Sequence, residues 1–156
     1  MHVCVVGPGH DVQGGITESH KAWLKSSAAE AVRLEHFQTT IDAAWPRRFG
    51  FMLAALVRFG ARCLVGRVSD LVHVQLASRR SFYRKLVYMV LARWSGVPLV
   101  VQVHGSGFAQ FRSAHPWSRY LVDWGLGQAS LVLVLHAQMQ RDVQQWTRGA
   151  TPVVVV

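Results

Sequence analysis

The stretch Val97–Phe108, VPLVVQVHGSGF, constrains the fold of this chain more than any other. Leu99, Val100, Val101 and Val103 form a short β-branched apolar run bounded by Pro98 and by glycines, the pattern of a strand buried on both faces. Such strands belong to parallel sheets covered by helices. In open parallel sheets, ligands sit beyond the carboxyl ends of the strands, where the strand order reverses. His104-Gly105-Ser106-Gly107 follows the run directly, so a polar turn stands where a ligand would bind.

Apolar strands alternate with helical periodicity along the rest of the chain. His2–Val6 is a strand candidate running into GPGHDVQGGI, and from Ile16 the apolar positions Trp23, Leu24 and Ala28 fall at helical spacing. A strand, glycine loop and helix in this order can aim backbone N–H groups at a phosphate. No Gly-Lys-Ser/Thr follows, and Val12 stands where a dinucleotide fingerprint has its third glycine, so neither nucleotide motif is complete. Ala31–Phe37 reads as a second strand, QTTIDAAWPRR as a connection, and Phe49–Arg67 as a helix with Gly60 as a candidate break. Asp70–Leu76 is a third strand. The helix from Ser81 to about Ser95 places Phe82, Tyr83, Leu86, Val87, Val90 and Trp94 on one stripe and Arg84, Lys85 and Tyr88 elsewhere. A loop holding Phe108 and Phe111 leads to a helix opened by Pro116 and closed by Gly127, with Trp117, Tyr120, Leu121 and Trp124 as its inner face. Ala129–Leu135 is a further buried strand, Met139, Val143 and Trp146 mark a short helix, and Thr151–Val156 starts a last strand.

The resulting βαβαβαβαβαβ order predicts an α/β domain over residues 1–156, a doubly wound, mainly parallel Rossmann-like sheet with helices on both faces. With the Rossmann strand order, strands one and four are neighbours. The Gly14-Gly15 loop and the His104-Gly105 turn then open into one crevice.

At 156 residues and 51% hydrophobic content, the chain supports one core. Its formal charge of +9 favours anionic partners such as nucleotide phosphates and lipid headgroups. The 14 Arg against 3 Lys suit bidentate phosphate contacts or reflect a high-GC genome. Arg is spread over several elements without interleaved aromatics, which argues against nucleic acid. Cys4 and Cys63 match no metal spacing and read as buried thiols in a reducing compartment. His2, His10, His20 and His36 share no ligand spacing either, so no metal site is expected. Phe49–Val57 and Leu86–Ala92 fall short of the roughly 20 apolar residues needed to span a bilayer, and no signal peptide is evident. The expected location is cytoplasmic, or peripheral at the inner face of the membrane. Trp45-Pro46-Arg47-Arg48-Phe49 with Arg58, Arg62 and Arg67 form a candidate acceptor or membrane surface.

The ordered series Asp70-x-Val72-His73, Phe82-Tyr83-Arg84-Lys85, Val97-Pro98 and His104-Gly105, with Gly14-Gly15-Ile16 and ASLVLVLHAQMQRDVQQW, resembles the amino-terminal domain of family-four retaining glycosyltransferases of the GT-B fold. The resemblance implies one half of a GT-B enzyme that transfers a hexose-type sugar, with retention, from a nucleotide-diphosphate sugar to a glycan or lipid-linked acceptor. It implies no further cofactor and no metal. Gly14, Gly15, Gly105 and Ser106 would lie near donor and acceptor, with His104 as the catalytic residue beside the transferred sugar. The departing phosphate would accept the acceptor's proton.

In similar enzymes the final strand leads through a Pro-Asn-Gly turn into a donor-binding domain. That carboxyl-terminal domain is expected to be absent from 1–156, which should then be inactive alone. His136 departs from the family, where a small Ser or Thr is common. The alternative is a non-catalytic or degenerate binding module that associates with a partner chain or an anionic membrane. From the residues alone, His104 reads first as a histidine that caps its own turn, His73 reads as structural, and Arg79-Arg80 and Arg84-Lys85 read as a solvated helix face.

Overall fold

The computed structural model describes residues 1–9, 11–12, 32–66, 68–105 and 107–156. Six parallel strands form one sheet: β1 (His2–Gly7), β2 (Arg33–Gln38), β3 (Leu71–Leu76), β4 (Leu99–Val103), β5 (Leu131–Val134) and β6 (Val153–Val155). Their spatial order is β2-β1-β3-β4-β5-β6. Strand β1 therefore neighbours β2 and β3, and β3 separates it from β4, which corrects the expectation that strands one and four adjoin. The order reverses between β1 and β3, and the switch-point crevice belongs there.

Five helices lie among the described residues: α1 (Trp45–Leu64), α2 (Arg80–Trp94), α3 (Phe108–Ser113), α4 (Pro116–Gly127) and α5 (Ala137–Trp146). All five add side chains to the core on one sheet face, which bears Cys4, Val6, Val72, Val74, Leu76, Leu99, Val101, Val103, Val132 and Val134. The register places Val5, His73, Val100 and Leu131 on the opposite face. Helical spacing from Ile16 falls outside the described residues.

Strand β4 departs from its expected burial. Leu99, Val101 and Val103 are buried, but Val100 and Gln102 are only half-buried, so one face is sealed and the other partly open. Strand β5 repeats this pattern.

The helix expected from Phe49 begins earlier. Trp45–Arg48 form the first turn of α1, with Pro46 near its start, because proline at that position loses no intrahelical hydrogen bond. The helix continues through Gly60, where Leu91 of α2 packs 3.9 Å from the position a Cβ would take. The expected loop around Phe108 and Phe111 is the short helix α3.

Two helices turn faces other than those their apolar residues favour. Helix α2 buries Phe82, Lys85, Tyr88, Met89 and Ala92, leaving Tyr83, Val87 and Trp94 exposed. Helix α4 buries Ser118, Val122, Gly125 and Leu126 and exposes Trp117, Tyr120 and Trp124. Small residues bring these helices together: a Cβ at Gly125 would stand 2.8 Å from Leu86 Cδ1, and Tyr83 Oη lies 2.9 Å from Ser118 Oγ. Aromatic edges finish the packing, with Phe59 centred 5.2 Å from Phe37 and 5.1 Å from Tyr88.

Candidate active-site edge

The carboxyl ends of β1, β3 and β4 converge on one edge of the sheet. Gly7 ends β1, where a Cβ would meet Gln75 Oε1 at 2.9 Å and His36 Nε2 at 3.2 Å, so a side chain at the switch point would have to push these two side chains aside. Thr39 N and Oγ1 both donate to the Gly7 carbonyl, and Gly9 N donates to the Thr40 carbonyl at 2.8 Å. These bonds draw the turn after β1 toward β2, away from β4. Gly14 and Gly15 lie outside the described residues, so their expected meeting with His104 is not on view.

His104 begins where β4 stops. Its N–H donates to the Leu76 carbonyl at 2.8 Å, tying the ends of β3 and β4. The side chain is 8% exposed, and its buried Nε2 meets no hydrogen-bond partner among the described residues. Gly105 follows with φ of 96°, a left-handed conformation that glycine adopts without steric cost. Ser106 lies outside the described residues.

Lys85 is the residue that sequence reasoning missed. Read as part of a solvated face, it is instead 1% exposed, and its Nζ donates to the Gln75 carbonyl at the end of β3. Burial first, and then the neighbouring Arg84, lower its pKa to about 7. Burial, followed by the charge of Lys85, lowers His104 to about 4. Near neutral pH the imidazole is therefore uncharged: it can exchange hydrogen bonds with a hydroxyl but cannot act as an imidazolium acid. The available signal was the spacing of Phe82, Lys85, Met89 and Ala92, three to four residues apart on one helix face.

The remaining expected positions divide. His73 is buried within β3. His136 is the N-cap of α5: its Nδ1 accepts from Met139 N at 3.2 Å, taking the capping role that Ser or Thr usually fills. Cys4 is fully buried and its thiol is pushed up to about 12, by burial first and then by Glu35, whereas Cys63 is only partly buried.

The arginines expected to share one surface separate by environment. Arg62 pairs with Glu35, Arg48 with Asp42 at 3.1 Å, and Arg58 lies over the Phe37 and Phe51 rings. Arg47 is exposed, and Arg67 is outside the described residues. No described helix is long and apolar enough to cross a membrane.

The sequence profile of the glycosyl transferase 4-like domain matches residues 1–156. No curated protein matches the chain significantly in sequence. Among solved structures, UGT73P12 of Glycyrrhiza uralensis, crystallised with glycyrrhetinic acid 3-O-monoglucuronide, is similar with a TM-score of 0.54 at 10% identity. The alignment covers 99% of this chain and 42% of that one, so the chain spans less than half the length of that protein.

Proposed function

The chain belongs to the glycosyl transferase 4-like domain family and is an amino-terminal Rossmann-like domain of the GT-B kind, and from that premise we propose that it forms the acceptor-side wall of a nucleotide-sugar-dependent glycosyltransferase. The observation that carries the reading is His104. A buried, uncharged imidazole with an unmet Nε2 stands at the carboxyl edge of a parallel sheet, where such folds bind ligands.

In this reading His104 holds a hydroxyl of the transferred sugar, and Gly14, Gly15, Gly105 and Ser106 bring backbone close to donor and acceptor. The proton of the attacking acceptor passes to the departing phosphate, as the family resemblance implies, and His104 takes no part in that transfer. The sugar is of hexose type and is transferred with retention to a glycan or lipid-linked acceptor. The protein contributes position and charge stabilisation. Donor recognition resides in a carboxyl-terminal domain, so residues 1–156 alone turn over little. Donor hydrolysis and sugar transfer by 1–156, and by a version continued through a donor-binding domain, test this. Transfer by the longer protein only is expected; equal rates from both overturn the two-walled site.

A second reading concerns where the domain works. Helix α1 exposes Phe49, Leu53, Val57 and Leu64, with Leu53 at 54% and Leu64 at 90%, and Arg47 and Arg58 are also exposed. An apolar face with basic residues suits the surface of an anionic bilayer, as in a peripheral enzyme at the inner membrane face. Co-sedimentation with anionic and neutral vesicles at low and high salt tests it. Binding to anionic vesicles that falls with salt is expected, and equal binding to both vesicle types rejects the electrostatic part.

A further inference from the structure

The same edge of the sheet carries a polar recess that the assignments above leave unused. An open cleft of about 460 Å³ lies between the start of α2, helix α3 and the start of α4. Arg79, Arg80, Tyr83, Phe111, His115 and Ser118 line it, and no acidic residue does among the described ones. Three arginines elsewhere are neutralised by carboxylates: Arg48 by Asp42, Arg62 by Glu35 and Arg112 by Asp123. Arg79 and Arg80 have no such partner among the described residues. Arg79 also holds φ of 60° and ψ of −133°, a conformation that a residue with a side chain rarely keeps.

The rest of the lining is suited to a saccharide. The Tyr83 and Ser118 hydroxyls, 2.9 Å apart, can share hydrogen bonds with ring hydroxyls. The Tyr83 and Phe111 rings, edge to face at 5.7 Å, offer an apolar surface to sugar C–H groups. Two adjacent guanidinium forks match the oxygens of a phosphate better than point charges do. The volume falls within the range of roughly 300–1,000 Å³ typical of small-molecule sites.

We propose that this cleft binds the phosphate-bearing part of the acceptor, with Arg79 and Arg80 on the phosphate of a phosphorylated saccharide and its sugar ring against Tyr83 and Phe111. The proposal rests on the glycosyltransferase reading for the word acceptor, but binding itself does not need turnover. The cleft starts at Ser78, just past β3, and reaches Gly107 past β4, which places it beside the His104 turn.

The test is an amide NMR titration of the 156-residue chain with glucose 1-phosphate, glucose and inorganic phosphate as separate probes. Saturable binding of glucose 1-phosphate is expected, with shifts centred on Ser78–Tyr83 and Gln110–Ser118, weaker binding of phosphate and none of glucose. Arg79→Gln and Arg80→Gln should each weaken binding about tenfold, whereas Arg93→Gln, which removes the same charge from the far end of α2, should leave it unchanged. Arg79→Gly is the check on folding: it frees the backbone conformation, so it should raise the melting temperature while losing the ligand. Equal losses in all variants, shifts outside the cleft, or glucose binding as tightly as its phosphate overturn the site. Phosphate binding as tightly as glucose 1-phosphate overturns the saccharide assignment. In the enzyme continued through a donor-binding domain, the arginine variants should raise acceptor KM at unchanged donor KM. If the unaltered longer enzyme transfers no sugar while the cleft still binds, the glycosyltransferase reading fails and the anion site stands.

Discussion

Lys85 brings an amine to a place that water does not reach, so its proton enters the stability of the fold. The folded chain releases that proton near pH 7, whereas the unfolded chain holds it to 10.5. Between those values the unfolded state binds more protons, so stability rises with pH. From about pH 7 to 9 this contribution is about 2 kcal/mol, and urea unfolding should show it in the wild type and lose it in Lys85→Met. His104 has the same sign in a lower window, since its folded pKa of about 4 lies below its ordinary 6.5. Stability present above pH 6.5 is lost as pH falls toward 4, by about 3 kcal/mol at most, and His104→Gln should flatten that limb. Arg79→Gly should stabilise the chain by about 1 kcal/mol, read as a higher urea midpoint, because glycine adopts this left-handed backbone freely. His104 was identifiable from the sequence because it ends an apolar strand in a glycine turn. Lys85 was not, because its place depends on which way α2 faces.

Helix α1 shows how one element can carry two apolar faces with different duties. Its inner face buries Ala55 and Phe59, and the Phe59 ring packs edge-on against Phe37 and Tyr88. Phe59→Ala should therefore cost about 3–5 kcal/mol in chemical denaturation. Leu53→Glu and Val57→Glu stand on the exposed face and should change stability by less than about 0.5 kcal/mol. The same two substitutions should abolish any binding to anionic vesicles, and unchanged binding removes the helix from that surface. Helices α2 and α4 explain why such faces are hard to assign in advance. Both carry apolar or aromatic residues most of the way round, so a period near 3.6 identifies the helix without selecting its inner side. Close approach selected the side: Gly125 and Ser118 let α4 settle against α2, leaving Trp117 at 76% exposure and Trp124 at 39%. An aromatic stripe there would have held the helices apart.

Across the whole molecule, protection follows position in the sheet. Strands β1, β3, β4 and β5 are flanked on both sides, while β2 and β6 are its edges. Amide hydrogen exchange should be slowest in Val3–Val6, Val72–Leu76 and Leu99–Val103 and fastest, among the strands, in Val153–Val155. Slower exchange at β6 than at β3 contradicts that order. The sequence alone determined that the chain is a parallel α/β domain, because β-branched runs of strand length alternating with amphipathic segments have few other ways to bury their apolar surface. It also determined that the polar turn at His104 stands at a strand's carboxyl end, since that follows from chain order. Tertiary structure decided that β3 lies between β1 and β4, because several orders satisfy the same alternation and only inter-strand pairing distinguishes them. It also decided which helix faces turn inward, through steric fit between α2 and α4, and so put Lys85 beside His104. Those two outcomes rest on contacts between distant residues, which local periodicity does not encode.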